Sequence, residues 1–166
     1  MKTYKFALIF ALIISSFIAC SDEEENTPVG TDGNGNVVTK VDDGTIEATD
    51  SANFRLLLTD STSKRWTTSL FTLSGSTTYT DCRLDDIMVL FSDGTYDYNG
   101  GQLCGAEDNM TNRTGSWELD YSNKKIYFDK GTSEEYEAEV IGLTENELRL
   151  KGSYMVMEVR GLYKSN

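Results

Sequence analysis

The sequence predicts an all-β, antiparallel fold of about eight short strands preceded by one short helix, arranged as a barrel or a sandwich. Short apolar or alternating runs recur with turn residues between them. Glycine and aromatics are frequent while proline occurs once, at Pro28. The strongest hairpin signal lies between Cys82 and Cys104, where the apolar run Ile87-Met88-Val89-Leu90-Phe91 reverses at Ser92-Asp93-Gly94 and returns as Thr95-Tyr96-Asp97-Tyr98. An Asp-Gly turn between a β-branched, aromatic-rich run and an aromatic return strand is what a tight hairpin requires.

The elements follow in order. Asp50 or Ser51 caps a short helix that puts Phe54, Leu57 and Leu58 on one face. Lys64–Thr68 begins a strand that Leu70–Leu73 extends or replaces with the next. After the central hairpin, residues 102–114 read as a polar loop. Ser116–Leu119 and Lys125–Phe128 flank a Ser122-Asn123 turn. Tyr136–Val140 carries Glu135, Glu137 and Glu139 on one face, and Glu147–Lys151 has clean period-two alternation. Tyr154–Val159 reads as the closing strand. The unbroken apolar runs at 87–91 and 154–157 imply strands covered on both faces.

Composition narrows the function. The formal charge is −12, and losing an N-terminal export segment with Lys2 and Lys5 carries it to −14. Such a surface repels nucleic-acid phosphates and anionic lipid headgroups, so no nucleic-acid partner is expected. Histidine is absent, which removes His-based zinc sites, Ser-His-Asp triads and Cys-His dyads. No cofactor or metal is expected. Of three cysteines, Cys20 has a separate role, and Cys82 and Cys104 form an even pair. In an oxidising compartment a disulfide between them is favoured over two free thiols.

Residues 1–19 read as an export signal: a positive start, then an apolar core from Phe6 to Phe17, too short to span a bilayer permanently. It ends Phe17-Ile18-Ala19-Cys20, which resembles the bacterial lipobox, and the resemblance implies cleavage before Cys20 and a lipid anchor on its sulfur. The acids directly after it, Ser21-Asp22-Glu23-Glu24-Glu25, resemble the surface-export signal of Bacteroidetes-type lipoproteins, implying an outer-membrane, surface-exposed location. Residues 20–50, glycine-rich and poor in large apolar side chains, read as a flexible tether, with at most one short strand from Val37-Val38 and Ile46. Asp50-Ser51-Ala52 and Asp60-Ser61-Thr62 resemble O-glycosylation acceptors of the same bacterial group, which nominates Ser51 and Ser61.

The domain itself spans 51–166. Lys64-Arg65-Trp66, Cys82-x-x-Asp85-Asp86, Phe91-x-Asp93-Gly94-Thr95-Tyr96, Cys104, Gly115-x-Trp117-x-Leu119, Leu143-Thr144 and Leu148-x-Leu150 occur in that order. Together they resemble the lipocalin-like domain of Bacteroidetes lipoproteins over about residues 52–166. The resemblance implies an up-and-down barrel or flattened half-barrel, mostly without assigned activity.

Two site readings compete with a plain core. The carboxylates Asp85, Asp86, Asp93 and Asp97 are dense enough to raise glycoside hydrolysis or calcium binding. Adjacent strand residues point to opposite faces, however, and no spaced Asp-x-Asp-x-Asp-Gly loop exists, so no catalytic residue is assigned. Alternatively, Trp66, Met88, Tyr96, Tyr98, Trp117, Met155 and Met157 line an internal cup. The competing expectation is that the same side chains form solid core, with the helix plugging the barrel. The expected function is therefore a non-catalytic lipoprotein binding a small apolar molecule, a glycan or a protein partner. A structural component docking another protein is the alternative, and a carbohydrate-active hydrolase the least favoured.

Overall fold

The computed structural model of the chain describes residues 30–105 and 111–165; Cys20 and the expected export segment lie outside them. A two-residue hairpin, β1 (Gly30–Thr31) with β2 (Val37–Val38), comes first, followed by helix α1 (Ser51–Thr59). Eight strands follow: β3 (Ser63–Leu73), β4 (Ile87–Phe91), β5 (Thr95–Asn99), β6 (Arg113–Asp120), β7 (Lys125–Phe128), β8 (Tyr136–Leu143), β9 (Glu147–Tyr154) and β10 (Met157–Ser165). Each pairs antiparallel with its sequence neighbour, and β10 returns to β3, giving a closed up-and-down barrel. Closure leaves none of these eight strands with an unpaired edge, which excludes the sandwich and the open half-barrel.

Residues 63–73 form one strand rather than two, because a β-bulge lets it continue while changing its inward face. The bulge falls where Tyr163 pairs with Thr68 but its neighbour Leu162 pairs with Leu70. Trp66 points into the main core, whereas Leu70 joins a second cluster with Val41, Ile141 and Leu162.

That second cluster corrects the expected tether. From Gly30 to Val41 the chain lies against the outside of the barrel, where Val41 is only 4% exposed, and further on Ile46 and Ala48 pack against the main core. The Thr31 amide donates to Ser69 Oγ at 2.9 Å, Arg160 Nη1 to the Val41 carbonyl at 3.1 Å, and the Glu47 amide to the Leu143 carbonyl at 2.9 Å. Gly30 sits so close to β3 that a Cβ would fall 2.3 Å from the Ser69 carbonyl oxygen. Polar composition concealed this strap: a few apolar side chains dock it, and backbone and side-chain hydrogen bonds do the rest.

Helix α1 closes one end. Asp50, rather than Ser51, caps it by accepting from the Asn53 amide at 2.8 Å. Phe54 and Leu58 are fully buried, with Leu57 packed beside them. Trp66 Nε1 donates to the Leu58 carbonyl at 2.9 Å, and Arg55 lies 4.6 Å over the Trp117 ring. The helix is thus fixed to the barrel both by burial and by satisfied polar groups.

The central hairpin forms with Gly94 at φ +91, a conformation glycine adopts without steric cost. Its expected double coverage does not hold. Met88 and Leu90 are buried inside while Ile87, Val89 and Phe91 face out half-buried, as one-sided barrel strands do. The other apolar run departs further, since Met155 and Val156 form the β9–β10 turn instead of lying within a strand. Cys82 and Cys104 are bonded, with Cα atoms 5.2 Å apart, at the end opposite α1. Substituting both cysteines by alanine should lower the unfolding free energy by about 3 kcal/mol, the loop-closure value for this separation, read as a lower denaturant midpoint.

Candidate functional site

The nominated lining residues divide sharply. Trp66, Met88, Tyr96 and Trp117 are buried in one cluster with Phe54, Leu90, Ile126 and Leu148, so they fill the barrel instead of lining a cup. Tyr96 stacks edge-on against Phe128 at 5.1 Å and donates its hydroxyl to Asp129 Oδ2 at 2.6 Å; burial raises its phenol to about 12. Tyr98 lies at the edge of this cluster. Met155 is 79% exposed and Met157 half-buried at the β9–β10 hairpin, so neither lines the interior. Ser51 and Ser61 are both exposed, at the first residue of α1 and in the turn that follows it.

The carboxylates do not converge. Asp93 belongs to the hairpin turn, where hydrogen bonds from the Thr95 hydroxyl and amide hold its carboxyl below the usual range. Asp85 Oδ2 accepts from the Gln102 amide at 2.9 Å, and Asp97 faces solvent. Among the described residues, no group of three or more His, Cys, Asp or Glu side chains is placed to hold a metal ion.

Asp86 is different. It is 3% exposed, just before β4, and its Oδ2 accepts from the Tyr98 hydroxyl at 2.5 Å and meets Arg83 Nη1 at 3.4 Å. Its Oδ1 is buried without a hydrogen-bond partner among the described residues. Burial pushes this carboxyl up to about 6, against the opposing pull of Tyr98 and Arg83. The Tyr98 phenol is raised in turn, by burial first and the Asp86 hydrogen bond second. Arg113 lies 5.6 Å over the Tyr98 ring, across the β5–β6 pairing.

Two further tyrosines complete this layer, and glycines make room for them. A Cβ on Gly152 would lie 2.1 Å from the Tyr136 hydroxyl, and one on Gly161 would lie 2.5 Å from that of Tyr163. Both phenols are raised by burial. Sequence reasoning missed Arg83, Arg113, Tyr136 and Tyr163. The available signal was glycine interrupting β9 and β10, which marks close approach by another group.

No family model, curated protein or solved structure matches the chain. The phenols are held protonated, so they act as hydrogen-bond donors rather than nucleophiles. Exposed Arg113 over the Tyr98 ring puts positive charge and a partly exposed aromatic edge at the disulfide-braced end, while the Tyr98 proton is taken by Asp86. Among the described residues, six of the eight large apolar side chains left exposed belong to this end's loops and turns: Tyr79, Leu84 and Leu103 near the disulfide, and Tyr154, Met155 and Val156 on the hairpin tip.

Because Asp86 holds its proton to higher pH when folded than when unfolded, its contribution to stability falls as pH rises from about 4 to 6 and is constant above that. The stability of the wild-type chain minus that of Asp86→Asn should fall by about 3 kcal/mol between pH 3.5 and pH 7, measured by denaturant unfolding. A difference that stays flat with pH would contradict the assigned environment.

Proposed function

We propose that the protein is a lipid-anchored, surface-exposed outer-membrane lipoprotein of the lipocalin-like kind, working by binding rather than by catalysis. The observation that carries the reading is the filled interior. Trp66, Leu90, Tyr96, Trp117, Ile126 and Leu148 occupy the barrel centre and α1 closes one end, so recognition falls to the outer surface. The disulfide-braced end is the favoured surface, where exposed Arg113 lies over the half-buried Tyr98 ring. Arginine and tyrosine in this combination suit a glycan or a protein partner, and they recur at the energetic centres of protein interfaces. A small apolar guest inside the barrel is the weaker reading, because its place is already taken by side chains.

The anchor rests on the Ala19-Cys20 junction and the acids that follow it. Each acyl methylene buried in the bilayer adds about 0.8 kcal/mol, enough for a multiply acylated terminus to hold a domain of this size. Native mass spectrometry of the chain taken from its own membrane should show acyl mass on Cys20 and a bound glycan or protein that Arg113→Ala releases. Cys20→Ser should move the protein out of the membrane fraction. A stoichiometric apolar small molecule, or a bare unacylated chain, would overturn the proposal.

A further inference from the structure

The β9–β10 turn puts apolar side chains where turn chemistry disfavours them. Tyr154 pairs with Met157, leaving Met155 and Val156 as a two-residue loop. Met155 has φ +55, a conformation that glycine, asparagine or aspartate normally supplies at such a turn. Val156 is 99% exposed. From Gly152 to Met157 the chain carries no charge, and the flanking Lys151 and Glu158 cancel. The hairpin also projects: β3 pairs with β4 only as far as Thr67, but with β10 as far as Leu73.

The shape of this feature selects its occupant. A convex tip of two or three residues is far smaller than the roughly 800 Å² per partner that a specific protein interface buries. A bilayer interface, in contrast, accepts an apolar wedge with tyrosine at its base. The connection to Cys20 has the right length. Gly30 is held against Ser69 and lies ten positions along the chain from Cys20, a maximum reach of about 35 Å. From Ser69 to Leu73, which pairs with Val159, and back to Val156 is a path of about 23 Å along the strands.

We propose that the Tyr154–Met157 tip dips into the headgroup region of the bilayer that holds Cys20, giving the barrel a second attachment and a tilted orientation in which the β5–β6 side carrying Arg113, across the barrel from β9–β10, stays clear of the lipid. The inference rests on the lipid anchor proposed above. The strongly acidic chain favours zwitterionic lipid for this contact.

The test uses the full acylated chain in vesicles of phosphatidylethanolamine and phosphatidylcholine containing lipid spin-labelled on its acyl chain. One variant carries a nitrobenzoxadiazole fluorophore at Val156→Cys, and a reference carries it at Leu56→Cys on the helix at the opposite end. Emission at position 156 should be blue-shifted and quenched about threefold more strongly than at position 56. Adding Met155→Asp to the first variant should return its emission towards that of water. Water-like emission at 156 on vesicles that carry the protein would overturn the tip contact alone and leave the tip to a protein partner. Failure of the chain to float with the vesicles would overturn the anchor and the tip contact together.

Discussion

The seam between β3 and β10 is the contact on which the rest of the structure depends. It joins the barrel's first strand to its last, and its formation requires every intervening hairpin to be in register. The bulge within the seam gives β3 two buried faces in succession. Trp66 enters the barrel, fills its centre and bonds to the helix through Leu58. Leu70 turns outward and, with Leu162 and Ile141, provides the surface on which the strap docks. Without closure neither burial is available, and α1 and the strap lose what holds them in place.

Closure also makes the two ends unlike. The helix end is sealed by apolar contact and by the Trp66 and Trp117 indole hydrogen bonds. The other end is sealed by a disulfide and by polar aromatics, with a buried carboxylate at its centre. Keeping Asp86 there costs stability at neutral pH, because an ionised carboxylate loses water that one phenol and one guanidinium only partly replace. This is also the end that carries Arg113 and the exposed apolar tip.

Local patterns were legible in the sequence. The central hairpin, the capped helix, the period-two strand at Glu147–Lys151 and the cysteine pairing all follow from neighbouring residues or from the count of thiols. The strap was not legible, because Val38, Val41 and Ile46 are too few to announce burial, and their docking surface is assembled by residues about thirty to 120 positions away. The run at Tyr154–Met157 was misread for a related reason. Apolar character alone does not separate a strand covered on both faces from a turn left uncovered, and no glycine or asparagine marks the reversal.

By itself, then, the chain determined its strands, its helix and its paired thiols, since alternation, caps and turn residues act over a few positions. Only the closed barrel decided which side of each strand faces inward, where the strap lies and what surrounds Asp86. Burial is a property of what converges in space. The tyrosines and arginines around that carboxylate come from five separate segments, and no short-range pattern records that they meet.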